Sequence, residues 1–134
     1  MKKSKVPLWV AIKLKQINKV NIETPYYYDK TFLEEIIKNE KQSKDLTSIP
    51  YYFFETLNIL SHKAPETIQD IDVVKTLASD LISVRSEKIN LIIKNVKEYQ
   101  YYFKINNLTS KELEILRMLV EEILNLKSDM NRLN

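Results

Sequence analysis

Residues 65–103 read PETIQDIDVVKTLASDLISVRSEKINLIIKNVKEYQYYF, and the fold turns on this stretch. Pro65 suits a first helical turn, where its missing N–H leaves no bond unmade. Glu66, Asp70 and Asp72 follow in the early turns, where negative charge suits the helix dipole. Ile68, Ile71, Val74, Leu77, Ala78, Leu81, Ile82, Ile89, Ile92, Val96 and Tyr99 then recur at helical spacing, with no internal Gly or Pro. The spacing predicts one helix over 65–103, on the order of 50 Å long at about 1.5 Å per residue. A domain of this size has a gyration radius of only about 14 Å. A helix that outruns its own domain usually buries its far end on something else, so the chain reads as a subunit.

The totals bound the function. The 134 residues make one domain's worth, 44% hydrophobic and 29% charged, enough for a sizeable core. With Cys 0 there is no disulfide and no thiolate metal site, which fits a reducing compartment. His 1 rules out most zinc and triad chemistry, and Gly 0 leaves no phosphate loop. The net charge of +3 is too small to argue for nucleic acid by itself. No apolar run approaches the roughly 20 residues of a membrane span, and the N-terminus is a poor signal peptide. The paired carboxylates Glu34–Glu35 and Glu121–Glu122 diverge on a helix and focus on no common atom. Nothing assembles a nucleophile, a base and oxyanion donors, so no enzyme, cofactor or metal is expected.

Outward from the long stretch, the other elements also read as helices. The first nineteen residues are basic, and Lys2, Lys3 and Lys5 read as a solvated terminus. Pro7 to Asn18 is expected to be a short helix, although Ile12-Lys13-Leu14-Lys15 also alternates like a strand. Leu8, Trp9 and Ile12 are expected to be buried, in the domain or under a neighbouring chain. If Trp9 is core, its truncation costs roughly 3–5 kcal/mol. Asp29 or Thr31 caps a helix over 30–41 whose stripe is Phe32, Leu33, Ile36 and Ile37, its charged remainder solvated. Pro50 opens a helix of about 51–63, with Phe53, Leu57 and Leu60 on its inner face. Four adjacent aromatics, Tyr51 to Phe54, cannot share one core face, so Tyr51 and Tyr52 are candidates for a partner interface. Thr109 and Glu112 form a capping box for a last helix to about Asp129, with Leu108 and Leu113 as its staple. Arg85 sits near the apolar stripe, either as a surface arginine or paired to Asp80, Glu87 or a partner's carboxylate. The sum is an all-α bundle of about five helices around one long central helix.

Several of these motifs carry a resemblance. Val6-Pro7-Leu8-Trp9-Val10-Ala11-Ile12-Lys13-Leu14-Lys15-Gln16 resembles the opening of the central domain in the Psf-two subunits of the GINS family. Pro25 with its aromatic neighbours, Pro50-Tyr51-Tyr52 followed by Glu55, Leu57 and Leu60, and the Arg85–Lys88 helix follow in that family's order. Asn107-Leu108-Thr109 with Glu112 resembles its last helix start. The resemblance spans about 6–127 and implies a GINS-like helical domain without catalytic residues. It implies three sister subunits in a heterotetramer, association with the minichromosome maintenance ring and the Cdc accessory factor, and a nuclear role in DNA replication. It also implies a small β-rich domain before Val6, for which Met1 to Lys5 leave no room, so 1–134 reads as a single helical domain. The competing reading is a free-standing basic helical module binding nucleic acid through the N-terminal lysines; on the GINS reading direct DNA binding is weak or absent.

The long helix is then expected to pack over its first half, 68–82, on the chain's own helices. Its second half, 89–103, is expected to pack on a sister subunit, the alternative being that the last helix folds back antiparallel and covers it within the chain. The candidate interface residues are Tyr51, Tyr52, Arg85, Ile89, Ile92, Val96, Tyr99 and Phe103. Changing Ile92 and Val96 to Asp is expected to abolish partner binding while circular dichroism and solubility of the isolated chain stay unchanged. Loss of helicity in the monomer would instead mark that half as core.

Overall fold

The structure is a computed structural model that describes residues 3–94 and 104–133, with side chains of the last helix described to 122 and at 125. Among the described residues five α-helices succeed one another: α1 Leu8–Gln16, α2 Lys30–Gln42, α3 Phe53–Lys63, α4 Ile71–Lys94 and α5 Ser110–Leu133. Single 3₁₀ turns lie at Tyr26–Tyr28 and Pro65–Thr67, and the described residues contain no strand. The fold is all-α, as the periodicity predicts.

Each helix forms where its sequence satisfies its ends. Pro7 takes the N-cap of α1, which settles the strand-or-helix ambiguity at Ile12–Lys15. α1 stops in a Schellman arrangement: the N–H of Asn18 donates to the Lys15 carbonyl and that of Lys19 to the Leu14 carbonyl, both at 2.9 Å. That stop needs a left-handed residue, and with no Gly in the chain Asn18 supplies it at φ 57°. Asp29 caps α2 by accepting from the Phe32 N–H at 3.3 Å.

The long helix begins later than Pro65. Pro65–Thr67 is a separate 3₁₀ turn, Ile68 is extended, and Asp70 reverses the chain at φ 52° before α4 starts at Ile71. Tertiary contacts override local helix preference here. The Ile68 side chain is buried in the core, and the Thr24 hydroxyl takes the Thr67 carbonyl that a continuous helix would use. The far end of the predicted helix, 95–103, lies outside the described residues.

The core forms where α2, α3 and α4 meet. Leu33 and Ile37 from α2, Phe53, Phe54, Leu57 and Leu60 from α3, and Val74, Ala78 and Leu81 from α4 make one cluster, with Tyr28, Ala64 and Ile68 from the connections. α2 packs along α4, so the first half of the long helix is covered by the chain itself. The buried Tyr28 hydroxyl donates to the Phe53 carbonyl at 2.6 Å, and the two rings lie 5.1 Å apart. Burial, with the neighbouring Tyr27, pushes the Tyr28 phenol well above its ordinary value, so it remains a donor throughout the accessible pH range.

α1 departs from expectation. Ile12 is buried and Leu8 packs on the core, one turn apart on the same face. Trp9 is 68% exposed in this chain and is not part of its core. The cause is angular, since a residue next to Leu8 is turned about 100° away from it. Trp9→Ala is therefore expected to shift urea unfolding of the isolated chain by no more than about 0.5 kcal/mol. Phe53→Ala, at the centre of the cluster, is expected to cost about 3–5 kcal/mol in the same measurement.

Candidate functional site: a buried arginine joining three helices

The inner stripe of α4 is Val74, Ala78, Leu81, Arg85 and Ile89, a single row at helical spacing. The fourth member is a guanidinium with no exposure. A buried charge must find partners for every donor or the fold loses several kcal/mol. All five N–H groups of Arg85 are engaged. Nε donates to Glu112 Oε2 at 2.9 Å, and Nη2 donates to Glu112 Oε1 at 2.9 Å, a bidentate pair. Nη1 donates to Glu40 Oε2 at 3.2 Å and to the Thr47 carbonyl at 2.9 Å. Nη2 also donates to the Asn107 carbonyl at 2.7 Å.

The partners come from three directions. Glu40 lies in the last turn of α2, in the same row as Leu33 and Ile37, and is fully buried. Lys88, one turn after Arg85, donates to Glu40 Oε1 and to the Asp45 carbonyl, each at 3.0 Å. The Thr47 N–H and hydroxyl also donate to Glu40, so two cations and a tight loop converge on one carboxylate. Burial alone would raise the Glu40 carboxyl. The Thr47 and Lys88 hydrogen bonds, with the Arg85 and Lys88 charges, outweigh burial and hold it below its ordinary value of 4.5.

Glu112 comes from the first turn of α5. Its Oε1 accepts from the Thr109 N–H at 3.0 Å, and the Glu112 N–H donates to the Thr109 hydroxyl at 3.4 Å. This is the predicted capping box, and the carboxylate that completes it is also the one that grips Arg85. Asn107 adopts φ 65°, which turns its carbonyl to Arg85, while its amide donates to the Leu46 carbonyl at 3.1 Å. The Ser110 N–H, at the head of α5, donates to the Tyr51 carbonyl at 2.9 Å. One guanidinium thus fixes α2, α4, the loop before α3 and the start of α5 together.

This arrangement changes the reading of several predicted site residues. Arg85 and Ile89 are buried in the chain and are not available to a partner, and the carboxylates on Arg85 are Glu40 and Glu112 rather than Asp80 or Glu87. Glu40, expected on a solvated face, is core. Phe53, Leu57, Leu60 and Ile12 are buried as expected. His62 is exposed, its Nδ1 donating to the Asn58 carbonyl of its own helix at 2.8 Å. Ile92 is half-buried, and Val96, Tyr99 and Phe103 lie outside the described residues. Tyr51 and Tyr52 are 47% and 61% exposed, their rings packed edge to face at 4.8 Å. Beside Tyr51 a shallow cleft runs along α5, lined by Leu113, Arg117, Met118 and Glu121. Ile115, Met118, Leu119 and Val120 of α5 are exposed as well. The described residues hold no acidic or histidine cluster suited to a metal and no helix able to cross a membrane.

Residues 27–131 match the family profile of the GINS complex protein helical bundle domain. The chain is 34% identical over 122 residues to the DNA replication complex GINS protein PSF2 of Xenopus laevis, covering 90% of this chain and 66% of the relative. It is 30% identical over 122 residues to the human protein of the same name, with the same coverage. For the psf2 protein of Schizosaccharomyces pombe the identity is 26% over 123 residues, 92% of this chain and 66% of the relative. The chain thus spans just under two thirds of the length of these relatives.

Truncating Arg85 to Ala leaves two carboxylates facing each other without their common cation, and is expected to cost about 3–5 kcal/mol in urea unfolding. Arg85→Lys is expected to recover little, because an ammonium cannot reproduce the fork that meets Glu112. The lowered Glu40 value sets a pH signature. Its contribution is present in full above the ordinary glutamate value of 4.5 and is lost as pH falls through the lower folded-state value. The unfolding midpoint is expected to drop on acidification below about pH 4.5, and Glu40→Gln, less stable at neutral pH, is expected to show a shallower drop.

Proposed function

Because the chain belongs to the GINS complex helical bundle family, we propose that it is a Psf2-type, non-catalytic subunit of a GINS heterotetramer. It acts as a scaffold rather than as an enzyme. Its immediate partners are three sister subunits. Through that assembly it joins the replicative helicase, the minichromosome maintenance ring with the Cdc accessory factor, in the nucleus. The match over 27–131 carries this reading.

Physical features support it. The Arg85 node spends the chain's conspicuous buried charges on holding its own helices in place and offers nothing for catalysis. The apolar residues left over lie outside the core, on α5 and at Tyr51 and Tyr52. Monomers seldom leave a contiguous apolar patch larger than a few hundred Å². Leu91, on the second half of α4, is 54% exposed and adds to the surface a sister subunit would cover. The nucleic-acid alternative rests on the N-terminal lysines, and a net charge of +3 adds little to it.

Co-expression with candidate sister subunits, followed by size-exclusion chromatography, tests the proposal; a chain that elutes alone from every combination overturns it. Within a recovered assembly, changing Tyr51 and Tyr52 together to Ala is expected to weaken association tenfold or more, about 1.4 kcal/mol or above. Circular dichroism of the same isolated variant is expected to match the parent.

A further inference from the structure

We infer that the outward face of α1 is a docking surface for an acidic, amphipathic segment of a protein partner. Trp9, Lys13 and Ile17 stand at i, i+4 and i+8 along α1 and its C-cap, one above another. Trp9 is 68% and Ile17 61% exposed, and Val6 and Val20, just outside the two ends of the helix, are exposed as well. The neighbouring face of the same helix is already spent on the core through Leu8 and Ile12. An indole is the side chain most enriched at the energetic centre of interfaces, and here it stands outside the fold that could have buried it.

The charge around this row selects the occupant. No acidic residue precedes Glu23. Lys3 and Lys15 are paired, whereas Lys5, Lys13 and Lys19 are exposed and pair with no acid among the described residues. An apolar ridge with an unpaired ammonium in its middle and others at its ends is complementary to a helix bearing apolar residues and carboxylates. A membrane surface fits less well, because α1 is a nine-residue helix whose other face is held in the core and has few residues to insert. Single-stranded nucleic acid calls for successive stacking aromatics, and this face has one. The residues of this surface are other than those on which the subunit reading above rests, so the proposal does not depend on it.

Trp9 is the sole tryptophan, and its fluorescence reports this face directly. The probe is a synthetic helical peptide of about 18 residues, with Leu at core spacing and Glu elsewhere. Its counterpart carries Lys in place of Glu. Titrated into the full chain, the acidic peptide is expected to move Trp9 emission to shorter wavelength in a saturable way that weakens with salt. The basic peptide is expected to have no effect. Lys13→Glu is expected to lower the affinity about tenfold, and Ile17→Asp as much, with the chain's melting curve unchanged. Anisotropy of the labelled peptide with Trp9→Ala, expected to lose binding, guards against a purely optical effect. Equal response to both peptides, a Trp9→Ala chain that binds as the parent does, or no response to the acidic peptide overturns the proposal. So does a Trp9 shift produced by anionic vesicles or oligothymidylate and not by the acidic peptide.

Discussion

A guanidinium without contact to water has five N–H groups to satisfy and a charge to balance, and the rest of this bundle is arranged so that both conditions hold. Arg85 sits in an otherwise apolar row, so α2 and α5 must each bring a carboxylate to it, and the loop carbonyls of Thr47 and Asn107 must turn inward. Each requirement constrains a different part of the chain. The last turn of α2 carries Glu40, the loop after it folds back so that Thr47 reaches that carboxylate, and the chain before α5 takes a left-handed step at Asn107. Apolar contacts would have held α2 to α4 over a range of rotations. A bidentate Arg–carboxylate pair does not tolerate such freedom, and it sets how the helices are placed.

Much of this was legible in the residues, and the gaps have definite causes. Helix number and order followed from periodicity and caps, and the Thr109–Glu112 box was visible because its spacing is local. The identity of Arg85's partners was not, since they lie 45 and 27 residues away in sequence. A signal was nevertheless present. Glu40 falls in phase with Leu33 and Ile37, and Arg85 in phase with Leu81 and Ile89. A charge in phase with an apolar row is a candidate for burial, and two of opposite sign on different helices are candidates for each other. Reading Glu40 as part of a solvated face ignored its phase. The Pro65 start failed for another reason: proline at a first turn is compatible with helix, but the burial of Ile68 and the claim of Thr24 on the Thr67 carbonyl favour a break.

Trp9 shows the converse limit. An apolar run such as Leu8-Trp9-Val10 says that some of its members are buried without saying by what. The helix geometry assigns Leu8 and Ile12 to the core and turns Trp9 away. The same holds for Tyr51 and Tyr52, whose neighbours Phe53 and Phe54 fill the core and leave the tyrosines outside it. In both places the surplus of apolar side chains over the space inside the bundle could be counted from sequence, and its location required the fold.

The double use of Glu112 carries a consequence for time rather than for shape. The carboxylate that lets α5 begin is the one Arg85 requires, so helix initiation and helix docking are one event. Before that event Arg85 cannot leave water without a large loss, and the loops closed by its contacts are long. The node should therefore close late along the folding route, after the Leu33–Phe53–Leu81 cluster has formed. Interactions made after the transition state slow unfolding more than they speed folding. The arginine thus lengthens the lifetime of the folded bundle, a kinetic effect that equilibrium stability alone would not reveal.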